Sequence, residues 1–453
     1  MEDEKKLLDL CQYIVNKAQD LGADAVEAHA QSYTELESGV ELAQISSVNQ
    51  QVAVQIAIRV FIGKKMGNAF TNIPTHEAVD EAISLAINAA NVTTEDEDWV
   101  ALPSPQEYPK IQGLWFDDVV KQEPGVIIAA TGELITKCSA AEEGLVVAGG
   151  GSGVTYGTAA YANSNGISHS EKATLSYIVA VAVAQTEAGM TPSVISYDLQ
   201  RNLDVNLEKT VSKIAEQIRL CKNVVKGKTG KHTVVFHPQA YSQLLNHTLM
   251  EGVKGNNVAR GKSKIADKIG DAIASEHFSL LDDGLYVGGA NTSIADHEGV
   301  PRQRTPIIEK GVLKTFLWDT YWANKMGVQS TGNAKRNMRQ GLVEIGFTNL
   351  VVEPGTREIE EIISDIDYGY YIQSVQGAHS ANPESGDFSV VGNPAILIEK
   401  GKKVGAINGF MVSGNAFDML KNIVEVAKTP QPLVSWIGPE IICKDIDTIA
   451  ADE

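Results

Sequence analysis

Cysteine is scarce in this chain, with four among 453 residues, at positions 11, 138, 221 and 443. The spacings are wide and no Cys-x-x-Cys occurs, which excludes a disulfide framework readable from sequence. The thiols are expected to be reduced and buried, in a cytoplasmic protein. Positive charge is also in short supply: 38 Lys and Arg stand against 57 Asp and Glu, a formal net charge of −19. An acid excess of that size disfavours nucleic acid and anionic membrane as partners. The densest basic stretch, Arg260–Lys268, is interrupted by Asp267 and by apolar residues. No apolar run reaches the length of a bilayer span. The opening residues, MEDEKKLLDLCQYIV, lack the basic and apolar regions of a signal peptide.

Several chemical signatures are missing as well. The glycine-rich Ala148–Gly153 is not followed by Gly-Lys-Ser/Thr, so it reads as a flexible turn between strands and not as a phosphate loop. Ser152 within it lacks the strand–Ser–helix setting of a nucleophile elbow. No Ser-x-x-Lys motif presents itself. Histidines 29, 76, 169, 232, 237, 277 and 379 each stand alone in sequence and read as surface or satisfied core residues.

What remains is ordinary globular material: 43% apolar, 21% charged, and 40 glycines that favour turns and strands over a helical bundle. The length suits two or three domains with substantial cores. Helical spacing of Leu7, Leu8, Cys11, Ile14, Val15 and Ala18 predicts a helix over 4–22, stopped at Gly22. Strands follow at Ala25–Thr34, Leu36–Ser47 and Gln51–Phe61, separated by Gly39 and polar turns. Val52–Val60 alternates strictly, and Met66–Thr71 is its hairpin partner. Further segments are a helix over His76–Asn91, a proline-bearing loop over Leu102–Gly113, and a helix over Pro124–Cys138. A turn at Tyr161–Gly166, a strand over Ala173–Ala184 and a helix over Leu207–Cys221 complete this part. The Lys/Gly linker Lys226–Lys231 is the best domain boundary. The expected division is therefore 1–225, with a sub-boundary near 100–115, and 232–453.

An internal echo marks the second part. Ile308–Lys314 (IEKGVLK) and Ile398–Val404 (IEKGKKV) each read as a hairpin with a Lys-Gly turn, and each precedes a Gly-Asn-Ala, at 332–334 and 414–416. Two matches in the same order predict a two-fold-related, strand-rich core. The fold class expected is α+β, a mixed N-terminal domain followed by a strand-rich C-terminal domain with that internal repeat.

The stretch from His232 to Arg304 carries most of the candidate chemistry. Thr233–Phe236 reads as a buried strand, and Pro238 opens a helix whose apolar face is Tyr241, Leu244, Leu245 and Leu249. His247 and Glu251 lie one turn apart on another flank, where they could share a metal ion or exchange a proton; a polar face turned to solvent or to a partner is the plainer reading. Asp282, Asp283, Asp296, His297 and Glu298 form the densest acidic patch, for which turn chemistry suffices.

The order of strand, Pro, Leu-Leu helix, polar loop and Asp-x-Glu-Gly-Val-Pro (Asp296–Pro301) resembles the TldD/PmbA family, also called TldD/TldE. Asn-Ser-x-Gly before Ile167, Ser330–Ala334 and Ser385–Ser389 are similar to its other signatures, and the likeness runs over nearly the whole chain. That resemblance implies a heterodimeric zinc metallopeptidase. Its TldD subunit carries His-Glu-x-x-x-His after a Leu-Leu pair and a C-terminal cysteine ligand. Here those positions fall on Asn246, His247 and Glu251, and Cys443 is not in the Cys-Gly-Lys setting. The chain thus resembles the PmbA/TldE side, the subunit without its own zinc site. The resemblance implies no cofactor in this chain, zinc in a TldD-like partner, and degradation or maturation of small or unfolded peptides. It marks Asn246, Glu298, Gly299, Gly386 and Asp387 as candidates for lining the substrate cavity, with a homodimer as the alternative assembly. The alternatives in function are a stand-alone peptide-binding protein and an enzyme using His247 and Glu251.

Overall fold

The alternation over Val52–Val60 is part of a far longer strand, Gln44–Ile62. The computed structural model describes residues 4–187 and 189–451. In chain order its first part comprises α1 (Glu4–Asp20), β1 (Ala25–Glu41), β2 (Gln44–Ile62), β3 (Lys65–Thr71), α2 (His76–Val92), α3 (Asp117–Val120), α4 (Pro124–Ala141), β4 (Leu145–Asn163), β5 (Ser168–Thr186), β6 (Gly189–Met190), β7 (Val194–Gln200) and α5 (Leu207–Lys222). The strands form one antiparallel sheet in the order β3-β2-β1-β4-β5-β6, with β7 also on β5. Ile56, Ile58 and Val60 are buried with Ile14 of α1 and Ile83 of α2, which is what the period-2 and period-3.6 patterns demand of a half-covered sheet.

Two expectations fail inside this sheet. Gly39 does not divide strands: β1 runs through it with a register shift and turns at Leu42-Ala43, both at positive φ. A side chain at 39 would strike the Ser47 hydroxyl, so the glycine serves close strand approach and not a turn. Nor is Ala148–Gly153 a turn. It lies within β4, where Gly150 and Gly151 have φ of 104° and 142° beside a bulge at Val147/Gly149. A Cβ on either would collide with the carbonyl of Val179 or of Ser38 on the neighbouring strands. The other segments fall where periodicity puts them, including the unstructured Leu102–Gly113 and the turn before β5.

From residue 230 onward the chain builds a nine-stranded mixed sheet and a six-stranded one. β8 (Gly230–Phe236) lies inside the larger sheet, parallel to Tyr368–Ile372 and antiparallel to Ile441–Ile449. Val234 and Phe236 join the core beneath α6 (Pro238–Asn246), while Val235 faces the core that contains Ile214 and Ile218 of α5. Fully buried side chains of this kind contribute about 1.5–3 kcal/mol each. The overall class is α+β, as expected. Both Lys-Gly hairpins form, with positive φ at Lys310-Gly311 and at Lys400-Gly401, and each closes one end of a sheet. The Gly-Asn-Ala triplets that follow differ in role. Asn333 donates to Asp282 at 2.5 Å, whereas Asn415 caps the helix Ala416–Lys421.

The helix expected to continue from Pro238 past Glu251 ends at Asn246. The Thr248 hydroxyl donates to the Leu244 carbonyl at 2.9 Å, the acceptor that its own N–H would use in a continuing helix. Thr248 sits at φ −129°, ψ −88°, and a separate turn, α7 (Leu249–Gly252), follows. Next come α8 (Gly255–Ala259) and, further on, α9 (Thr320–Met326). No helix among the described residues is long and apolar enough to cross a membrane.

Candidate functional site

The break after α6 separates the residues that sequence spacing brings together. His247 becomes the exposed C-cap of α6, and Glu251 belongs to α7. Lys254 donates to Glu251 Oε1 at 2.6 Å and Asn257 to its Oε2 at 3.2 Å, while Asn246 Oδ1 accepts from the Trp436 indole at 2.9 Å. An ammonium therefore holds the carboxylate that a metal would need, and an indole N–H holds the amide oxygen. This donor set does not fit zinc. Cys443 is fully buried in the strand Ile441–Ile449, and burial raises its thiol far above the ordinary range. Among the described residues no group of three His, Cys, Asp or Glu converges as a metal site.

The polar residues that do converge lie where the first sheet meets the C-terminal part. Glu27 and Arg59 face each other across β1 and β2 as register partners. Arg336 Nη2 donates to Glu27 Oε1 at 2.5 Å, the Tyr161 hydroxyl to Oε2 at 2.7 Å, and Arg59 Nε is 2.5 Å from Oε1. The Arg59 contact is one of charge, since its N–H is not aligned on that oxygen. Arg59 Nη2 also donates to Glu298 Oε1 at 2.8 Å, and the Thr320 N–H donates to Glu298 Oε2 at 3.0 Å. Burial alone would raise the Glu27 carboxyl, but Arg336 and Arg59 outweigh it and hold it at about 2. His29 packs edge-on against His297 at 4.6 Å, and burial followed by the Arg336 charge lowers it to about 3. The two carboxylates and two guanidiniums balance.

Beside this network opens a cavity of about 560 Å³. Glu298, Arg59 and Asp319 form part of its wall, with Phe61, Trp99 and Trp322. Asp319 caps α9, its Oδ1 accepting from the Trp322 N–H at 2.8 Å. Burial, then the Glu298 charge, raises its carboxyl to about 7. A smaller cavity of about 310 Å³ lies against α5, where His237 and Lys213 meet Gln431 and Glu440.

The remaining sequence candidates are scattered around these places. Glu298 lines the larger cavity. Gly299, at φ 77°, has Tyr161 and Ile167 where a side chain would be, and its carbonyl accepts from Tyr108. Gly386 lies against Phe417, and the exposed Asp387 accepts from Ser385 and Asn415. Asp296 does what turn chemistry requires, accepting the N–H groups of Glu298, Val300 and Ala334. Asp282 and Asp283, read as a turn, instead belong to the buried strand Leu280–Asp283. Glu27, Arg59, Asp319 and Arg336 escape sequence reasoning. The one available signal is Glu27 itself, an acid set among the apolar residues of Ala25–Ala30.

Comparison with known proteins shows the PmbA/TldD family. Residues 229–450 match the model described as the PmbA/TldA metallopeptidase C-terminal domain, and residues 26–90 match PmbA/TldA metallopeptidase domain 1. The crystal structure of TldE from Thermococcus kodakarensis superposes with a TM-score of 0.92 at 32% identity, covering 97% of this chain and 100% of that one. An uncharacterised protein of Methanocaldococcus jannaschii is 29% identical over 77% of this chain and 80% of its own length. The metalloprotease TldD homologue of Buchnera aphidicola (subsp. Acyrthosiphon pisum) is 32% identical over 40% of this chain and 37% of its own length.

Proposed function

Because the chain belongs to the PmbA/TldD metallopeptidase family, we propose that it is the PmbA/TldE-like subunit of a TldD/TldE-type zinc peptidase. In this reading a TldD-like partner carries the zinc, and this chain completes the shared cavity and holds the peptide. The single observation that carries the reading is the Lys254–Glu251 ion pair, 2.6 Å long, at the position of the family's second zinc ligand. Keeping an ammonium there favours a subunit that has given up metal chemistry over one that awaits its ion. Peptide capture by strand addition is supported by the outer edge of β2. From Gln44 to Gln55 that edge has no neighbouring strand among the described residues and no charged side chain. Small or unfolded peptides, with main-chain groups to spare, are the substrates that suit it, and the cytoplasm is the compartment that suits four free thiols.

The test is metal content and cleavage, measured on the purified chain alone and after mixing with a TldD-like chain. The expected outcome is about one zinc per heterodimer, none retained by the lone chain, and cleavage in the mixture only. Zinc held by the lone chain and released by His247→Ala would overturn the reading and make this an enzyme with its own site.

A further inference from the structure

One acid on the wall of the larger cavity, Asp319, stands outside the ion-pair network. Glu27 and Glu298 are matched by Arg59 and Arg336. Asp319 lines the same cavity, is 2% exposed, and has no ion-pair partner among the described residues. Its Oδ1 is taken by the helix cap, and among the described residues no hydrogen bond reaches Oδ2. The cation that acts on it is Arg59, already shared by two carboxylates. A carboxylate so little exposed is destabilising without a counter-charge unless one arrives from outside.

We infer that this cavity binds a primary ammonium group, which Asp319 receives at its wall while Phe61, Trp99 and Trp322 sheathe an aliphatic stem. An ammonium brings three donors and one positive charge, which is what the unpaired Asp319 carboxyl lacks. The aromatic walls are rigid: Phe61 stacks on Trp99 at 4.2 Å, and Trp322 meets Tyr321 edge-on at 5.1 Å. Methylene groups pack along such walls as the stems of long charged side chains do on apolar surface. Arg260, exposed and also lining the cavity, lies 4.8 Å over the Trp322 ring. A lysine side chain and a free peptide N-terminus share this chemistry. The proposal rests on the peptide reading only for the source of the ammonium.

The experiment is calorimetric titration of the full-length chain alone with four short peptides: free or acetylated at the N-terminus, each with lysine or norleucine. Loss of the decisive ammonium is expected to weaken binding at least roughly tenfold, and the pair that shows the loss names the source. Asp319→Asn keeps the cap oxygen and is expected to abolish the preference. Glu298, Arg59 and Asp296 act on the Asp319 carboxyl, and the charged groups lining the cavity with it are Lys64, Glu95, Asp96, Glu97 and Arg260. With its carboxyl raised to about 7, wild-type affinity should fall as pH drops through that value, and binding below it should release a proton. Affinity indifferent to norleucine, or to Asp319→Asn, overturns the inference. Should Asp319→Asn fail to fold, the wild-type peptide pairs decide instead: equal affinities within both pairs mean that no ammonium is bound. Because no partner or zinc enters this titration, amine binding without cleavage in the mixture would sink the peptidase reading alone, and the converse would sink only the ammonium site.

Discussion

At Glu27 two guanidiniums and a phenol converge on a carboxylate that has no exposure to water. Desolvation of such a charge is costly, and only the partners offset it, so deleting the carboxylate leaves buried cations behind. Glu27→Gln is expected to destabilise the chain by about 3–5 kcal/mol, read from urea unfolding at neutral pH. The pH dependence follows from direction. The carboxyl is lowered from 4.5 to about 2, so its stabilisation is complete above the unfolded value and fades as pH falls from 4.5 towards 2. Glu27→Gln should therefore flatten that acid limb of the stability curve; an unchanged limb would assign acid lability elsewhere. None of these partners is legible locally, because Glu27 and Arg336 are separated by 309 residues. The position of Asp296 in its turn is legible, because its acceptor role is spent on the next few N–H groups.

At the scale of elements, period and punctuation compete. The α1, α2, α4 and α5 helices follow from spacing and caps, and so do the hairpin turns at Lys310-Gly311 and Lys400-Gly401, where Gly accepts positive φ. The glycines of β4 mislead for a physical reason: they serve tight packing between strands and not a change of direction. Gly151→Ala would press a methyl on the Ser38 carbonyl at a φ of 142° that alanine disfavours. A loss of more than about 2 kcal/mol is expected, measured by thermal or urea unfolding. The same change at Gly63, in an open turn with nothing within 4 Å, should cost less, about 1 kcal/mol for its positive φ. Equal losses at both sites would refute the packing explanation. The early end of α6 has a similarly local cause, the Thr248 hydroxyl, which a helical-wheel reading passes over.

For the whole molecule, the junction between the first sheet and the rest is polar, buried and continuous with the cavity. A fragment beginning at residue 229 would leave Glu298 and Arg336 without Arg59 and Glu27. Such a fragment is expected to lose cooperative unfolding in calorimetry, whereas the intact chain should unfold in one transition; a fragment as stable as the parent would show that the junction contributes nothing. The sequence by itself determined the α+β class, most element positions, the family likeness and the want of a zinc motif. These rest on local periodicity, turn geometry and short motifs, which act over a few residues. Only the tertiary structure decided that His247 and Glu251 part company, that Lys254 neutralises Glu251, and that Asp319 is left unpaired beside a cavity. Those outcomes depend on which distant charges meet out of water, where Coulomb energy and desolvation are both large and neither is encoded in neighbouring residues.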